Sequence, residues 1–321
     1  MKNILLLGGT GFVGRHVCEQ LQRAGHRMTV TTRHIKRASA VQHLPLVTVQ
    51  VADIHNPDTL AQLVAGHDVV INLVAILHGN EAAFERAHVT LAHTIAQACQ
   101  RSGVRRLIHI SALGAATDGP SMYQRSKARG EAVLQAAGLD LTVLRPSVIF
   151  GEGDRFLNLF ARLQKALPLV PLAGADTRFQ PVWVEDVAQT VLHAVNTPDT
   201  VSQTIELVGP DVFTLRELVQ MTGRTAGCPR PVLGLPRAIA YFQALAMELA
   251  PGEPLMSTDN LNSMEVDNVA SPAAAGMPTQ ASWGIAPASL RAVLPTYIGP
   301  VAGGQGPRNR LLRLRSNGRW Q

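Results

Sequence analysis

Directly behind the apolar run NILLL at Asn3 to Leu7, the chain reads GGTGFVG from Gly8 to Gly14, and an amphipathic pattern begins at Phe12. It is the placement of these glycines between a strand and a helix, more than their number, that constrains the fold. Gly8 permits a tight strand-to-helix turn, Gly11 leaves backbone N–H groups open to an approaching anion, and Gly14 lets the helix lie close to the strand. A helix amino terminus then faces the anion with its unpaired N–H groups. The turn, with its neighbours Thr10, Phe12 and Val13, is predicted to cradle the pyrophosphate of a dinucleotide. A glycine-rich turn with no ligand is the alternative.

Further along, short β-branched or leucine-rich runs alternate with helical patterns: strands at Asn3 to Leu7, Arg27 to Thr32, Leu46 to Val51 and Asp68 to Val74, helices at Phe12 to Ala24 and Pro57 to Val64. The order reads as β-α-β-α-β-α-β, which leaves the crossover between the second and third strands as a helix without assigned bounds. It continues with a helix over Glu81 to Ser102, a strand at Arg106 to Ile110, a helix from Tyr123 to Ala137 and a strand from Asp140 to Leu144. Strands apolar on both faces and separated by helices predict a parallel sheet covered on both sides. The expected class is therefore α/β: a doubly wound parallel Rossmann-like sheet, with a smaller C-terminal lobe and a basic disordered tail.

Residues 1–209 are assigned to the dinucleotide-binding unit, with 151–175 contributing to the second lobe, 210–298 to that lobe, and 299–321 to the tail. The second half carries helices at Phe156 to Ala166 and Glu185 to Val195, a return strand at Pro181 to Val184 and another near Thr204 to Val208. Thr214 and Glu217 read as a capping box opening a further helix. Ala238 to Ala250 reads as a buried or interfacial helix, since no apolar run reaches the roughly 18 residues a transmembrane span needs.

The chain's formal charge of +6 over 321 residues would suggest nucleic acid or an anionic surface if it lay on one face. It is concentrated at the end instead: five arginines and no acidic residue follow Gly299, which leaves 24 basic against 23 acidic residues elsewhere. The body is near neutral, so no nucleic-acid partner is expected. Cys18, Cys99 and Cys228 are far apart and odd in number, which offers neither a disulfide framework nor a CxxC metal site and points to a reducing, cytoplasmic setting. The MKNILLL start is too short an apolar run for a signal peptide. The eleven histidines show no HxxxH spacing, and His88 and His93 read as helix-surface or satisfied core residues, so no metal is expected.

Two further clusters bear on chemistry. The second strand ends in MTVTTR, where an acidic residue would bond a free ribose hydroxyl. Arg33 stands there, followed by His34, Lys36 and Arg37. A guanidinium matches a 2′-phosphate bidentately, so NADP(H) is preferred over NAD(H), with a solvated basic loop as the plainer reading. Asp53 with Ile54 can meet the adenine edge, or Asp53 can cap the helix near Pro57, while the VVINLVA strand, ending in Val74 and Ala75, lines the nicotinamide side. The other cluster is Tyr123 and Lys127, a YxxxK pair whose i,i+4 spacing puts both on one helix face. A neighbouring ammonium favours the phenolate, which is expected to bring the phenol toward use in proton transfer near neutral pH.

With GxxGxxG, YxxxK, LRPSVIFGEGD and QPVWVEDVA in hand, residues Met1 to Pro210 resemble the extended or atypical branch of the short-chain dehydrogenase/reductase superfamily. HISALGA, YQRSKARGE, RPSVIFGEGDRF and FQPVWVEDVA resemble the group named for the nucleotide-binding accessory subunit of mitochondrial complex I. The resemblance implies a Rossmann fold that holds NADPH. It places Arg145 and Pro146, at the end of strand six, where cofactor meets lobe; Arg145 can equally be the structural partner of a carboxylate, Asp186 being the candidate. Active members of the superfamily carry a Ser or Thr just past strand five to polarise the substrate carbonyl. In this chain that place falls near Ala112 or Leu113; Ser111 is one residue early, and Ser121 is a loop residue able to swing in.

Two functions follow. In the enzyme reading, Tyr123, Lys127 and Ser111 are catalytic in an NADPH-dependent oxidoreductase or epimerase acting on a carbonyl or quinone-related small molecule. In the other, the chain is an accessory or assembly subunit that binds NADPH as a structural ligand and docks to a respiratory or membrane-associated complex at the inner face of a membrane.

Overall fold

In the computed structural model, which describes residues 1–249, 254–271 and 279–299, the glycine turn joins β1 (Asn3–Leu7) to α1 (Phe12–Arg23). There follow β2 (Arg27–Thr32), β3 (Val47–Val51), α2 (Pro57–Val64), β4 (Val69–Asn72), α3 (Glu81–Phe84), α4 (Leu91–Ser102), β5 (Arg106–Ile110), α5 (Met122–Gln135) and β6 (Asp140–Pro146). With β11 (Gln203–Leu207), the strands form a seven-stranded sheet in the order β11-β6-β5-β4-β1-β2-β3, every neighbouring pair parallel. Successive strands run outward from β1 to β2 and β3, then resume on its other side at β4. That reversal opens a crevice above the carboxyl ends of β1 and β4, where ligands of such sheets bind.

The two-residue period of β1 decides which helices cover which face. Ile4 and Leu6 share one apolar cluster with Val17 and Leu21 of α1 and with Val187 and Val191 of α7 (Val184–Asn196). Leu5 and Leu7 share the other with Leu60 of α2, Leu91 and Ile95 of α4 and Leu134 of α5. All four β1 side chains are fully buried, so each contributes about 1.5–3 kcal/mol of apolar burial. A carboxylate ties the α1 and α7 layer together: Glu185 accepts from Gln20 at 2.9 Å and lies 2.6 Å from His16 Nδ1.

Two local features depart from the sequence reading. The crossover from β2 to β3 holds only a 3₁₀ turn at Ile35–Ala38, because the IKRA stretch offers a single buried anchor, Ala38, and no apolar stripe. The helix expected over Glu81 to Ser102 is interrupted by a π-helical turn at Glu85–Thr90. The wider turn carries His88 inward, and α5 approaches so closely that any side chain at Gly130 would collide with the His88 carbonyl.

The remaining elements are β7 (Ile149–Phe150), α6 (Phe156–Ala166), β8 (Val170–Leu172), β9 (Arg178–Phe179), β10 (Val182–Trp183), α7 and β11, then β12 (Phe213–Thr214), α8 (Leu215–Thr225), β13 (Val232–Gly234), α9 (Arg237–Leu249), α10 (Thr258–Ser263), α11 (Leu290–Val293) and α12 (Pro295–Ile298). Apart from α7 and β11, which belong to the sheet, these elements form the lobe around a third apolar cluster, in which Phe150, Phe160 and Phe179 meet Phe213, Leu218, Leu290 and Ile298. Thr214 and Glu217 do form the capping box of α8. The stretch expected to be a buried or interfacial helix is α9 as far as Leu249, and only Ala240 and Ala244 of it are buried. Ala250 and the arginine-rich residues 300–321 lie outside the described residues. Among the described residues, no helix is long and apolar enough to cross a membrane.

Candidate functional site

At the carboxyl end of β1 the glycines take the positions their spacing predicts. Gly8 has φ +84° and packs against the backbone of Leu73 and Val74. A Cβ at Gly14 would stand 2.5 Å from the Gly9 Cα, so helix and turn approach closely there. At Gly11 a Cβ would meet only the Gly8 carbonyl oxygen, at 3.3 Å, and the residue is exposed. Gly11 is the N-cap of α1, no side chain caps that terminus, and its first turn holds no acidic residue. The amino end of α1, flanked by half-buried Phe12 and Val13 and by Thr10, is thus free to meet an anion. Arg15 crosses from α1 to the carbonyl of Glu152, closing the turn on the GEGD loop.

Arg33 is exposed at the end of β2. It shares its surroundings with Asp53, His55 and Arg86: burial lowers the His55 pKa, Arg86 and Arg33 lower it further, and Asp53 opposes them. Arg86, from the π-helical turn, escaped the sequence reading because it lies 53 positions from Arg33 in no motif. Asp53 does not cap α2; Asn56 does, accepting from Thr59 N–H at 2.9 Å, while Asp53 turns back to the N–H of His55. Ile54 is buried in the sheet's apolar cluster, Val74 packs at its margin with its N–H held by Asn72, and Ala75 is exposed.

Across the crevice, α5 carries Tyr123 and Lys127. Its start is heavily anchored. Ser121, fully buried, forms a capping box with Gln124, so its hydroxyl is committed to the helix and does not swing toward Tyr123. From the second lobe, Asp259 on α10 accepts the N–H groups of Met122 at 2.6 Å and Tyr123 at 3.1 Å. The Tyr123 ring packs edge-on to Phe84 and His88. His88 is fully bonded: Ile76 N–H donates to its Nε2 at 3.2 Å, and its Nδ1 lies 2.8 Å from Ser126 Oγ. The Ser126 hydroxyl proton goes to the Tyr123 carbonyl, so the network assigns the His88 proton to Nδ1. Burial, then the charge of Lys127, lowers its pKa to about 3.

Burial also outweighs the expected effect of lysine on tyrosine. The Tyr123 phenol is pushed up to about 12 by desolvation, so it is a neutral donor at physiological pH. Burial lowers Lys127 to about 8, with Glu131 opposing, and its Nζ donates to the Ile110 carbonyl at 2.8 Å. An ammonium has three N–H donors. The other two have no acceptor among the described residues, although the side chain is buried. His109 is similar: Asn72 donates to its Nδ1 at 3.1 Å, leaving Nε2 buried and without a partner.

Ser111 is turned away from the tyrosine. Its hydroxyl donates to the buried carboxylate of Glu131, which also receives Nε and Nη2 of Arg145. Arg145 is thereby paired with Glu131, not with Asp186, whose carboxylate accepts the Ala288 N–H at 2.8 Å. Glu131 went unnoticed because its role depends on β5 and β6 bringing Ser111 and Arg145 side by side under α5. Ala112 and Leu113, where the carbonyl-polarising hydroxyl would fall, are buried and apolar. Buried Pro146 accepts the Leu113 N–H at 2.9 Å, and Asn268 links the lobe to this loop through Leu113 and Ser147.

The family model for NAD(P)H-binding domains matches residues 8–198. Subunit 9 of the mitochondrial NADH dehydrogenase [ubiquinone] 1 alpha subcomplex of Mus musculus is 34% identical over 82% of this chain and 72% of its own length. This chain belongs to the NAD(P)H-binding short-chain dehydrogenase/reductase family. A ceramide reductase of Caulobacter vibrioides is 28% identical over 73% of each chain. Among solved structures, an epimerase from Methanothermobacter thermautotrophicus superposes with a TM-score of 0.75 at 15% identity, over 98% of this chain and 94% of that one, a likeness of fold. The residues present fit the family's dinucleotide: an open Gly11, an uncapped α1 terminus, and two unfilled donors on a buried lysine at the crevice.

Proposed function

We propose that the protein is an NADPH-dependent reductase of a carbonyl or quinone-like small molecule, in which Tyr123 gives a proton to the substrate oxygen. The observation that carries this reading is a neutral phenol, pushed up to about 12, four residues before a buried Lys127 with unfilled donors. A neutral tyrosine is a proton donor, which suits reduction better than oxidation. The dinucleotide, when bound, supplies the hydride. Arg33, with Arg86, holds the 2′-phosphate and sets the preference for NADPH over NADH; the α1 terminus, from Gly8 and Thr10 to Gly14, holds the pyrophosphate; Lys127 turns its free N–H groups to the ribose. Asp53 and Ile54 border the adenine, and Val74, Ala75 and Pro146 the nicotinamide. Arg145 acts one layer back, through Glu131.

Ser111 as a catalytic group would have to leave Glu131 on substrate binding. If it stays, the missing polarising hydroxyl slows the reaction on the order of 10²- to 10³-fold. Tyrosine proton transfer is worth about 10²- to 10⁴-fold, so a slow but measurable turnover survives.

The Ser111, Glu131 and Arg145 cluster favours a second reading: an accessory or assembly subunit of a respiratory complex that keeps NADPH as a structural ligand, as the name of the mouse relative suggests. NADPH oxidation over a panel of quinones, aldehydes and ceramide-like ketones, beside an affinity titration, separates the two. Turnover on any member supports the reductase; tight binding with none supports the accessory subunit.

A further inference from the structure

One helix of the lobe presents an apolar face to solvent. On α9, Ala240 packs with Ala173 and Leu261, and Ala244, one turn on, is fully buried. The opposite stripe, Ile239, Phe242 and Leu249, is 55%, 70% and 80% exposed. Tyr241 and Leu245 widen it, one turn apart. Successive steps of three and seven residues, from Ile239 to Phe242 and from Phe242 to Leu249, align the stripe along the helix. Both charges of α9 are drawn back to the protein: Arg237 pairs with Glu265, and Glu248 accepts from Thr258 N–H and hydroxyl. The outward face is left with aliphatic and aromatic groups and no charge.

We propose that this face of α9 lies on an anionic lipid bilayer, parallel to its surface, with the arginine-rich chain end as the second anchor. The helix is about 20 Å long at 1.5 Å per residue, too short to cross a bilayer and suited to lying in its interface. Aromatic and aliphatic side chains on one face of a surface helix are the groups that insert at the headgroup boundary. Charge supplies the rest. The chain leaves the described lobe at Gly299, beside the Thr225 carbonyl at the end of α8. Exposed Arg224 lies one residue before it, and exposed Arg230 lies on the way to β13. Residues 300–321 then add five arginines, three leucines and Trp320 without an acidic residue. A weak apolar insertion plus a basic segment is the two-signal arrangement that gives stable surface binding, and it selects anionic lipid over neutral lipid.

Sedimentation of the full chain with vesicles tests this, using phosphatidylcholine mixed with phosphatidylglycerol beside phosphatidylcholine alone. The wild type is expected to bind the mixed vesicles and to leave the neutral ones largely in solution. Phe242→Asp and the pair Ile239→Ser with Leu249→Ser are expected to lower that binding about tenfold or more, while NADPH affinity, read on the same samples, stays unchanged because α9 does not line the cofactor crevice. Replacing the five arginines by glutamine is expected to weaken binding at low salt. The proposal is overturned if the wild type ignores mixed vesicles, or if the α9 variants bind as the wild type does. It is overturned equally if light scattering shows a dimer that Phe242→Asp turns into a monomer, since a second copy would then cover the face.

Discussion

Asp259 holds the backbone of Tyr123: its carboxylate accepts that residue's N–H at 3.1 Å, 136 positions away in sequence, while its other oxygen takes the N–H of Met122. Ser121 satisfies Gln124 N–H, so the first turn of α5 is closed by one side chain of the sheet domain and one of the lobe. The lobe therefore sets the tyrosine's place.

Asp259→Ala is expected to cost about 1 kcal/mol of stability, the usual value of a lost helix cap. Because Asp259 is buried and faces two backbone donors, the damage should concentrate at α5. Hydrogen exchange of the Met122 and Tyr123 amides is the sensitive measurement, and these two should exchange faster than the rest of the helix.

Arg33→Ala should weaken NADPH binding by about 1.5–3 kcal/mol, the range for a lost charge-assisted contact, and leave NADH nearly unchanged. Arg86→Ala should act in the same direction and less strongly if Arg33 makes the bidentate contact. Calorimetric titration of both cofactors decides it. Equal losses for the two dinucleotides would remove the 2′-phosphate assignment.

The glycine turn gives a matched pair. Gly11→Val is expected to keep the native circular dichroism spectrum and abolish cofactor binding, since its side chain meets little protein and projects where the pyrophosphate would sit. Gly14→Val is expected to lose the fold itself, because its Cβ would stand 2.5 Å from the Gly9 Cα. Loss of fold in both would mean that Gly11 is structural.

How much of this was legible follows from which interactions are local. Strand β1 and helices α2 and α6 appear at the residues their patterns predict, because period and capping reside within each segment. The Thr214 and Glu217 box is local in the same way. The partners of Arg145 and Ser111 were not legible, since Glu131 reaches them only after α5 has packed over β5 and β6. Nor was the sign of the Tyr123 shift. Spacing shows that a lysine shares its helix face, but not that burial exceeds the lysine's pull or that Ile110 takes the ammonium.

Acid should destabilise the protein through His88. Its folded pKa is lowered to about 3 from the ordinary 6.5, so below pH 6.5 the unfolded chain takes up a proton that the native state refuses. Stability is full above the unfolded value and falls as pH drops toward the folded one, by on the order of 3 kcal/mol at about pH 4. Buried His109 adds to the same slope. Urea unfolding across this range should show the loss, and His88→Gln, which keeps a donor and an acceptor, should flatten it. A slope unchanged in that variant would assign the acid sensitivity to other groups.

The pair on α5 separates chemistry from binding. Tyr123→Phe keeps the ring against Phe84 and His88 and removes only the hydroxyl. In a reductase it should lower the rate about 10²- to 10⁴-fold with NADPH affinity nearly unchanged. Lys127→Met should weaken both if, as proposed, the same ammonium serves the ribose and the neighbourhood of the phenol. It also removes a buried cation whose pKa is lowered to about 8 from 10.5. Between those values the unfolded chain holds a proton that the native state has released, so wild-type stability rises with pH across that window, and the methionine variant should lack the rise. In an accessory subunit there is no rate to lose, and only the lysine change registers, in cofactor affinity and in that pH dependence. A turnover that Tyr123→Phe leaves intact would refute the tyrosine as proton donor.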